Sequence, residues 1–247
     1  MIIDRVMHAG WFTNGWLVAG RQDGPGLLFD SGAEPQKLLA LVRKRAVKVT
    51  AIFCSHRHHD HVTGLDFLAR NLGAPVYVHA LEKPFVVAAT DTVVDGQVFE
   101  FDGFSAQVMH LPGHTPGQIA LHVPGTGVFT ADTLFKNSVA NTVNAGQGDY
   151  DKMRASVERL FALPPETVVY PGHGDTTTIG TEWEKNPFLR LWRGLDAPGA
   201  KPGRFEGKRV TIEVFARDFD GNGKAQVRLL DGRLAIVPGS KLQKVTL

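Results

Sequence analysis

Residues His56-Arg57-His58-His59-Asp60-His61 compress four potential metal ligands, three imidazoles and a carboxylate, into six positions of the chain. They follow the short apolar run at residues 49–54, whose length and β-branched content read as a buried strand. The cluster therefore sits on a loop leaving the C-terminal end of a strand, where open α/β sheets gather their chemistry. Arg57 and His59 alternate with the ligand candidates and are expected to point elsewhere.

Two histidines at i, i+2 would be weak evidence for a metal by themselves. The rest of the chain adds to them. His114 stands in Pro-Gly-His-Thr-Pro-Gly, Asp132 in Thr-Ala-Asp-Thr and His173 in Tyr-Pro-Gly-His-Gly-Asp. Each follows or lies beside a β-like run, at residues 106–111, 127–130 and 167–170. Ligand types at strand ends, flanked by Gly or Pro, form a pattern with a mechanism: a metal held between loops. His8, His59, His79, His110 and His122 fall outside this pattern and read as surface or satisfied core residues. Asp30, in Leu-Phe-Asp-Ser-Gly, reads as an acceptor for a ligand imidazole. Cys54 reads as a small apolar filler at the strand end.

The ordered set His56, His58, Asp60, His61, His114, Asp132 and His173 resembles the metallo-β-lactamase superfamily, and more narrowly its glyoxalase II-type branch, the hydroxyacylglutathione hydrolases. Residues 171–180 and Asn186-Pro187-Phe188-Leu189 are close to the short, single-domain members of that branch, and the resemblance spans about residues 1–192. It implies a four-layer αββα sandwich in the α/β class, with a metal-dependent hydrolase site at one sheet edge. Seven ligands exceed what one tetrahedral zinc accepts. The resemblance gives His56, His58 and His114 to a first metal, Asp60, His61 and His173 to a second, and Asp132 to both. The expected cofactors are two divalent ions, zinc before iron or manganese. A hydroxide shared by them would be the nucleophile, with Asp60 as the catalytic residue that orients it.

Composition limits the alternatives. The 247 residues suffice for one large domain, or one with an appendage. A formal net charge of +2 offers no field for nucleic acid, and no run approaches a membrane span. A single cysteine and the lack of a basic, then apolar N-terminal segment fit a cytoplasmic protein. A small-molecule substrate is the expected partner, without nucleic acid or membrane, and a homodimer is left open.

Strand and helix patterns alternate over the first 80 residues, with an amphipathic helix at 35–46 and another at about 62–71. A helix is expected over 151–163, with Asp149 or Asp151 as its cap, and one continuous helix over 181–192. The hydrolase domain is thus assigned residues 1–195. The Pro/Gly-rich stretch 196–203 reads as a linker, and 204–247 as a small β-rich extension of three strands. Asp218-Phe-Asp-Gly-Asn-Gly has a calcium-loop look, but Leu229 stands where such a loop needs its bidentate Glu, so a hairpin turn is expected.

Three departures bear on the substrate. Glyoxalase II relatives carry a basic residue nine positions after the bridging Asp, where this chain has Asn141. Larger relatives place a Tyr two residues after the last His, where Asp175 stands, and lactonases a Tyr three after the bridging Asp, where Phe135 stands. Trp11, Phe12 and Asn141 are the candidate substrate contacts. With no placed general acid in the motifs, though Tyr150, Tyr170 and His110 are within the range of choices, a small thioester or activated ester fits better than an amide. Two alternatives share the scaffold: a lactone or phosphodiester hydrolase, and a mononuclear iron persulfide dioxygenase that uses His58 or its neighbour with His114 and Asp132.

Overall fold

The computed structural model describes residues 1–144 and 147–244. They divide into two compact units. The first comprises residues 1–111, 117–131 and 172–174, the second residues 112–116, 132–171 and 175–247.

The first unit holds two sheets. One runs β1 (Ile2–Met7), β2 (Asn14–Ala19), β3 (Pro25–Phe29), β4 (Lys48–Phe53), β5 (Val76–His79) and β6 (Asp91–Val93), paired in that order. Its first three strands are antiparallel, and β3 to β6 are parallel. The other is an antiparallel meander of β7 (Val98–Phe101), β8 (Phe104–His110), β9 (Ile119–Val123) and β10 (Gly127–Ala131). Three helices, α1 (Pro35–Lys44), α2 (His59–Val62) and α3 (Leu65–Leu72), complete the unit.

The strands β2 to β4 are apolar almost throughout because both of their faces are buried. Leu17, Leu28 and Ile52 pack with Leu38 and Val42 of α1 and with Leu65 and Leu68 of α3. Their chain neighbours Trp16, Phe29 and Phe53 turn to the opposite face, as period-two alternation requires. There they meet the second sheet: Phe129 lies 5.8 Å from Trp16 and 6.1 Å from Phe29, and Phe99 lies 4.8 Å from Phe53. Helices, sheet and sheet form three layers within this unit. The mixed α/β class expected from the sequence holds. In the parallel pair, Phe29 stands opposite Phe53, so Asp30 and residues 54–56 leave the sheet at one edge. That register positions the site.

The second unit contains the hairpin β11 (Leu134–Phe135) and β12 (Ser138–Val139), the helix α4 (Tyr150–Leu160), and the antiparallel pair β13 (Val168–Pro171) and β14 (Thr177–Thr178). Asp149 caps α4, its carboxylate accepting Lys152 N–H at 3.0 Å. The helix expected over 181–192 is in fact two, α5 (Ile179–Lys185) and α6 (Pro187–Trp192). Pro187 forces Asn186 out of the helical region, to φ −64° and ψ 120°, and the Asn186 side chain then caps α6 by accepting Phe188 N–H.

The C-terminal part has five strands rather than three. They are β15 (Lys201–Phe205), β16 (Lys208–Ala216), β17 (Lys224–Arg228), β18 (Leu234–Pro238) and β19 (Leu242–Lys244), in the order β18-β17-β16-β15-β19. The end of the stretch read as a linker is therefore strand. Pro202 stands opposite Thr211 of β16, and among the described residues β19 pairs with residues 203–205. The sheet is bonded into its unit: Gln226 Oε1 accepts from Tyr150 Oη of α4 at 2.9 Å and from Trp192 Nε1 of α6 at 2.7 Å. Asp218 is paired with Lys224 at 2.7 Å, and Asp220 accepts Asn222 N–H and Gly223 N–H, so the turn is closed by its own chain. Among the described residues no helix is long and apolar enough to cross a membrane.

Phe129 is fully buried where three aromatic rings from two sheets meet. Phe129→Ala is expected to destabilise the protein by about 3–5 kcal/mol. Urea unfolding followed by tryptophan fluorescence measures this, and a loss below about 1 kcal/mol would show that the layers do not depend on that contact.

Candidate metal centre

Within the first unit, β4 delivers Ser55 and His56 beside Asp30, the residue after β3. Asp30 sits at φ +58° and is almost fully buried. Its carboxylate accepts three hydrogen bonds: Ser55 N–H at 2.7 Å, Ser55 Oγ at 2.8 Å and His61 Nδ1 at 2.8 Å. A carboxylate only accepts, so His61 Nδ1 carries the proton and Nε2 keeps the lone pair. Ser55 Oγ gives its hydrogen to Asp30 and must accept from His56 Nδ1, 2.9 Å away. His56 is thereby set in the same tautomer.

The other end of the cluster follows the same rule. His173 Nδ1 donates to the Trp11 carbonyl at 2.8 Å, and an isolated β-bridge joins Thr13 to His173. In the second unit His114 Nδ1 donates to the Asn141 carbonyl at 2.9 Å. Four imidazoles thus spend Nδ1 on an acceptor and keep Nε2 for something else. That is how a histidine ligand is held for a metal.

The spacing agrees. In a tetrahedral site with bonds of about 2.0–2.1 Å, neighbouring ligand atoms stand about 3.3 Å apart. Asp60 Oδ2 lies 3.5 Å from His61 Nε2 and 3.3 Å from His173 Nε2, and the ligand atoms of these three residues all lie within 4.8 Å of one another. His56 Nε2 and His58 Nδ1 are 2.9 Å apart. In the second unit His114 Nε2 and Asp132 Oδ2 are 3.4 Å apart. Both units therefore carry candidate ligand atoms at a distance that a shared cation would set. Such a density of buried imidazole and carboxylate is costly without a cation to share.

The elements explain the placement. The single turn α2 brings Asp60 and His61 onto one side, with His61 N–H bonded to His58 O. Thr13 Oγ1 donates to Asp60 Oδ2 at 2.7 Å. In the second unit the loop of His114 runs along α4. A Cβ on Gly113, at φ +140°, would come within 2.4 Å of the Met153 backbone, so only glycine lets the loop pass. Ser156 Oγ donates to Pro112 O, and Asp149 N–H to Gly113 O, which pin the same loop. Asp132 directly follows Ala131, a non-glycine residue at φ +44°. Such backbone is strained and marks a position that its surroundings dictate.

Arg57 and His59 do point elsewhere. Arg57 is bidentate to the buried Glu82, at 2.6 and 3.1 Å, and lies 3.6 Å over the Phe85 ring. Glu82 also accepts the Arg57 and Gly117 backbone N–H groups, so it clamps the ligand loop from behind. His59 lies edge-on to Trp11. Trp11 is half-exposed and stacks on His8, while Phe12, at φ +58°, accepts Gly174 N–H. The feature of Asn141 that is tied down is its carbonyl. Cys54 Sγ donates to His56 O at 3.2 Å, and burial first, then the charges of Asp30 and Glu82, push its thiol well above the usual range. It remains a neutral filler. Tyr150, its hydroxyl donated to Gln226, is raised to about 12 by burial, and His110 stacks on His79 at 4.1 Å. Sequence reasoning missed Thr13, Ser55 and Glu82. Ser55 adjoins the histidine cluster and was the one with a signal.

The family model of the metallo-β-lactamase superfamily matches residues 8–173. A hydroxyacylglutathione hydrolase of Nitrosomonas europaea is 32% identical, over 87% of this chain and 94% of its own. Among solved structures, TTHA1623 in a di-iron-bound form is 37% identical, with a TM-score of 0.66 over 75% of this chain and 100% of its own. ETHE1 from Myxococcus xanthus is 27% identical, with a TM-score of 0.68 over 80% of this chain and 92% of its own.

Asp30→Asn keeps the shape of the side chain but turns an amide donor towards hydrogens of Ser55 or His61. It is expected to weaken zinc binding about ten- to a hundredfold, with an unchanged circular dichroism spectrum. Competition with a chromophoric chelator measures this, and wild-type affinity would show that Asp30 does not set the His61 tautomer.

Proposed function

We propose that this chain, which belongs to the metallo-β-lactamase superfamily, is a hydrolase that uses two divalent metal ions to cleave small thioesters or activated esters. The observation that carries this is the tautomer lock: His56, His61, His114 and His173 each commit Nδ1 to an acceptor and keep Nε2 for a metal. We assign His56, His58 and His114 to one ion, Asp60, His61 and His173 to the other, and Asp132 to both, from the order of the motifs. The donors are nitrogen and oxygen only, a set that suits zinc, iron and manganese alike. When bound, the ion pair supplies a hydroxide near neutral pH and polarises a carbonyl oxygen.

The chain's own residues do the rest. Asp60 orients the attacking oxygen, and Thr13, bonded to its Oδ2, keeps the carboxylate from rotating. Asp30 and the Trp11 carbonyl hold His61 and His173 with their Nδ1 protons facing away from the reaction. Of the candidate proton donors, Tyr150 gives its hydroxyl to Gln226 and His110 stacks against His79. A leaving group that departs as an anion, such as a thiolate, matches such a site better than an amine. The hydroxyacylglutathione hydrolase relative supports a thioester. Asn141 and Asp175 weaken the case for glutathione itself, since neither offers a cation to a carboxylate of that tripeptide.

The relative crystallised with two irons supports two metals without deciding which. Elemental analysis of metal-replete protein is expected to return two equivalents per chain, and Asp132→Ala to lose metal and turnover together. A single equivalent of iron with oxygen uptake would favour the persulfide dioxygenase alternative instead. On substrate, a lactoylglutathione thioester is expected to show less than about tenfold advantage in kcat/KM over a simple acyl thioester. One missing charge-assisted contact is worth roughly 1.5–3 kcal/mol, or about ten- to a hundredfold. A several-hundredfold preference for the glutathione conjugate would overturn that expectation.

A further inference from the structure

The peptide group between Asn141 and Thr142 is bonded at both ends. Its carbonyl accepts His114 Nδ1 at 2.9 Å, and its N–H donates to Ile236 O of β18 at 2.9 Å. A trans peptide is planar and directs its C=O and N–H in opposite senses. Whatever fixes one end therefore aims the other. A second bond doubles the tie, because Ile236 N–H donates to Thr142 Oγ1 at 3.0 Å. Both backbone groups of Ile236 thus face Thr142, and β18 holds its other neighbour, β17, through the alternate residues. Thr142 and Ile236 are both buried.

The same stretch is tied to the C-terminal sheet a second time. The turn that joins β16 to β17 holds the β11–β12 hairpin, two residues beyond Asp132. Asn137 Nδ2 donates to Arg217 O at 2.7 Å, and Phe219 meets Phe135 edge-on at 5.2 Å. The turn itself is made rigid by the buried Asp218–Lys224 pair.

We propose that the C-terminal sheet is a positioning element of the metal centre, and that Thr142 and Ile236 are positioning residues which aim the Asn141 carbonyl at His114. This rests on His114 being a ligand, as assigned above. The sheet then acts on metal affinity through one peptide plane, without contributing a ligand. Hydrogen bonds in series polarise one another. Ile236 O, by drawing on the Thr142 N–H, makes the Asn141 carbonyl a better acceptor and His114 a more basic ligand. A sheet that merely stabilised the chain would weaken both metals alike. A sheet that works through this plane weakens one.

Zinc titration of the full-length protein against a chromophoric chelator tests it, with His114→Ala as the reference that removes the site. Thr142→Val, which deletes the Oγ1 acceptor, is expected to raise the dissociation constant of one of two zinc ions about three- to tenfold and leave the other unchanged. Thr142→Ser restores the wild-type value. Ile236→Pro breaks the same bond from the sheet side and is expected to show the same selective loss, so the outcome stays readable if one variant does not fold. If His114→Ala loses one zinc and neither Thr142→Val nor Ile236→Pro changes that site, this inference is overturned alone. If His114→Ala keeps both, the ligand assignment falls and this inference falls with it. Equal weakening of both zinc ions, or no rescue by serine, would reduce the sheet to a structural role and overturn it as well.

Discussion

The centre depends on where the imidazole protons go. A neutral imidazole has one N–H and one lone pair, and a buried N–H must be given to an acceptor. Here Asp30, Ser55, and the carbonyls of Trp11 and Asn141 take the Nδ1 protons of His61, His56, His173 and His114. Each acceptor is itself fixed from behind. Asp30 is held by Ser55 N–H, and the Asn141 peptide by Ile236. The geometry of these four histidines is thus inherited from backbone positions, and the backbone positions from the sheets. Their rings have little freedom of their own left to lose.

Two other interactions protect that arrangement from the wrong charge. Arg57, in the middle of the histidine cluster, would repel a cation if it faced the ligands. It is turned away instead and neutralised by Glu82, with five donors available to satisfy that carboxylate and the Leu81 carbonyl together. Breaking this pair would leave a buried carboxylate behind the ligand loop, which is more damaging than never having had the pair. Cys54, the only thiol in the chain, is kept out of the chemistry by the same low-dielectric surroundings that raise its pKa.

What could be read from the chain follows the range of the interactions. The strand before His56 and the loop after it were legible, because a buried strand writes itself as a continuous apolar run and the ligands sit next to it. Asp30 was legible as an acceptor, from its place after Leu28-Phe29 at the end of another such run. Thr13 was not: it is forty-seven residues from the Asp60 it holds, and nothing local sets it apart. The 181–192 helix failed at Asn186-Pro187, where apolar periodicity outvoted a breaker that stood in plain view. The C-terminal region failed for a different reason. Pro202 stands in a Pro/Gly-rich stretch whose composition reads as a linker, and the described part of β19 is three residues long, so neither carried a pattern strong enough to read.

That last failure bears on function. A Pro/Gly-rich stretch followed by short strands suggests an appendage whose loss would leave the enzyme intact. The second unit contradicts the image, since its strands share hydrogen bonds with α4, α6 and the segment between Asp132 and Thr142. Two of the seven ligand candidates, His114 and Asp132, lie in that unit, and the other five lie in the first. The sheet that follows the last motif in this chain reaches back to the polypeptide whose carbonyl accepts from His114 Nδ1. A segment added after the catalytic motifs can therefore change an enzyme in two ways: by touching the substrate, or by tightening one peptide plane behind a histidine. The bonds of Thr142 and Ile236 put this protein in the second class.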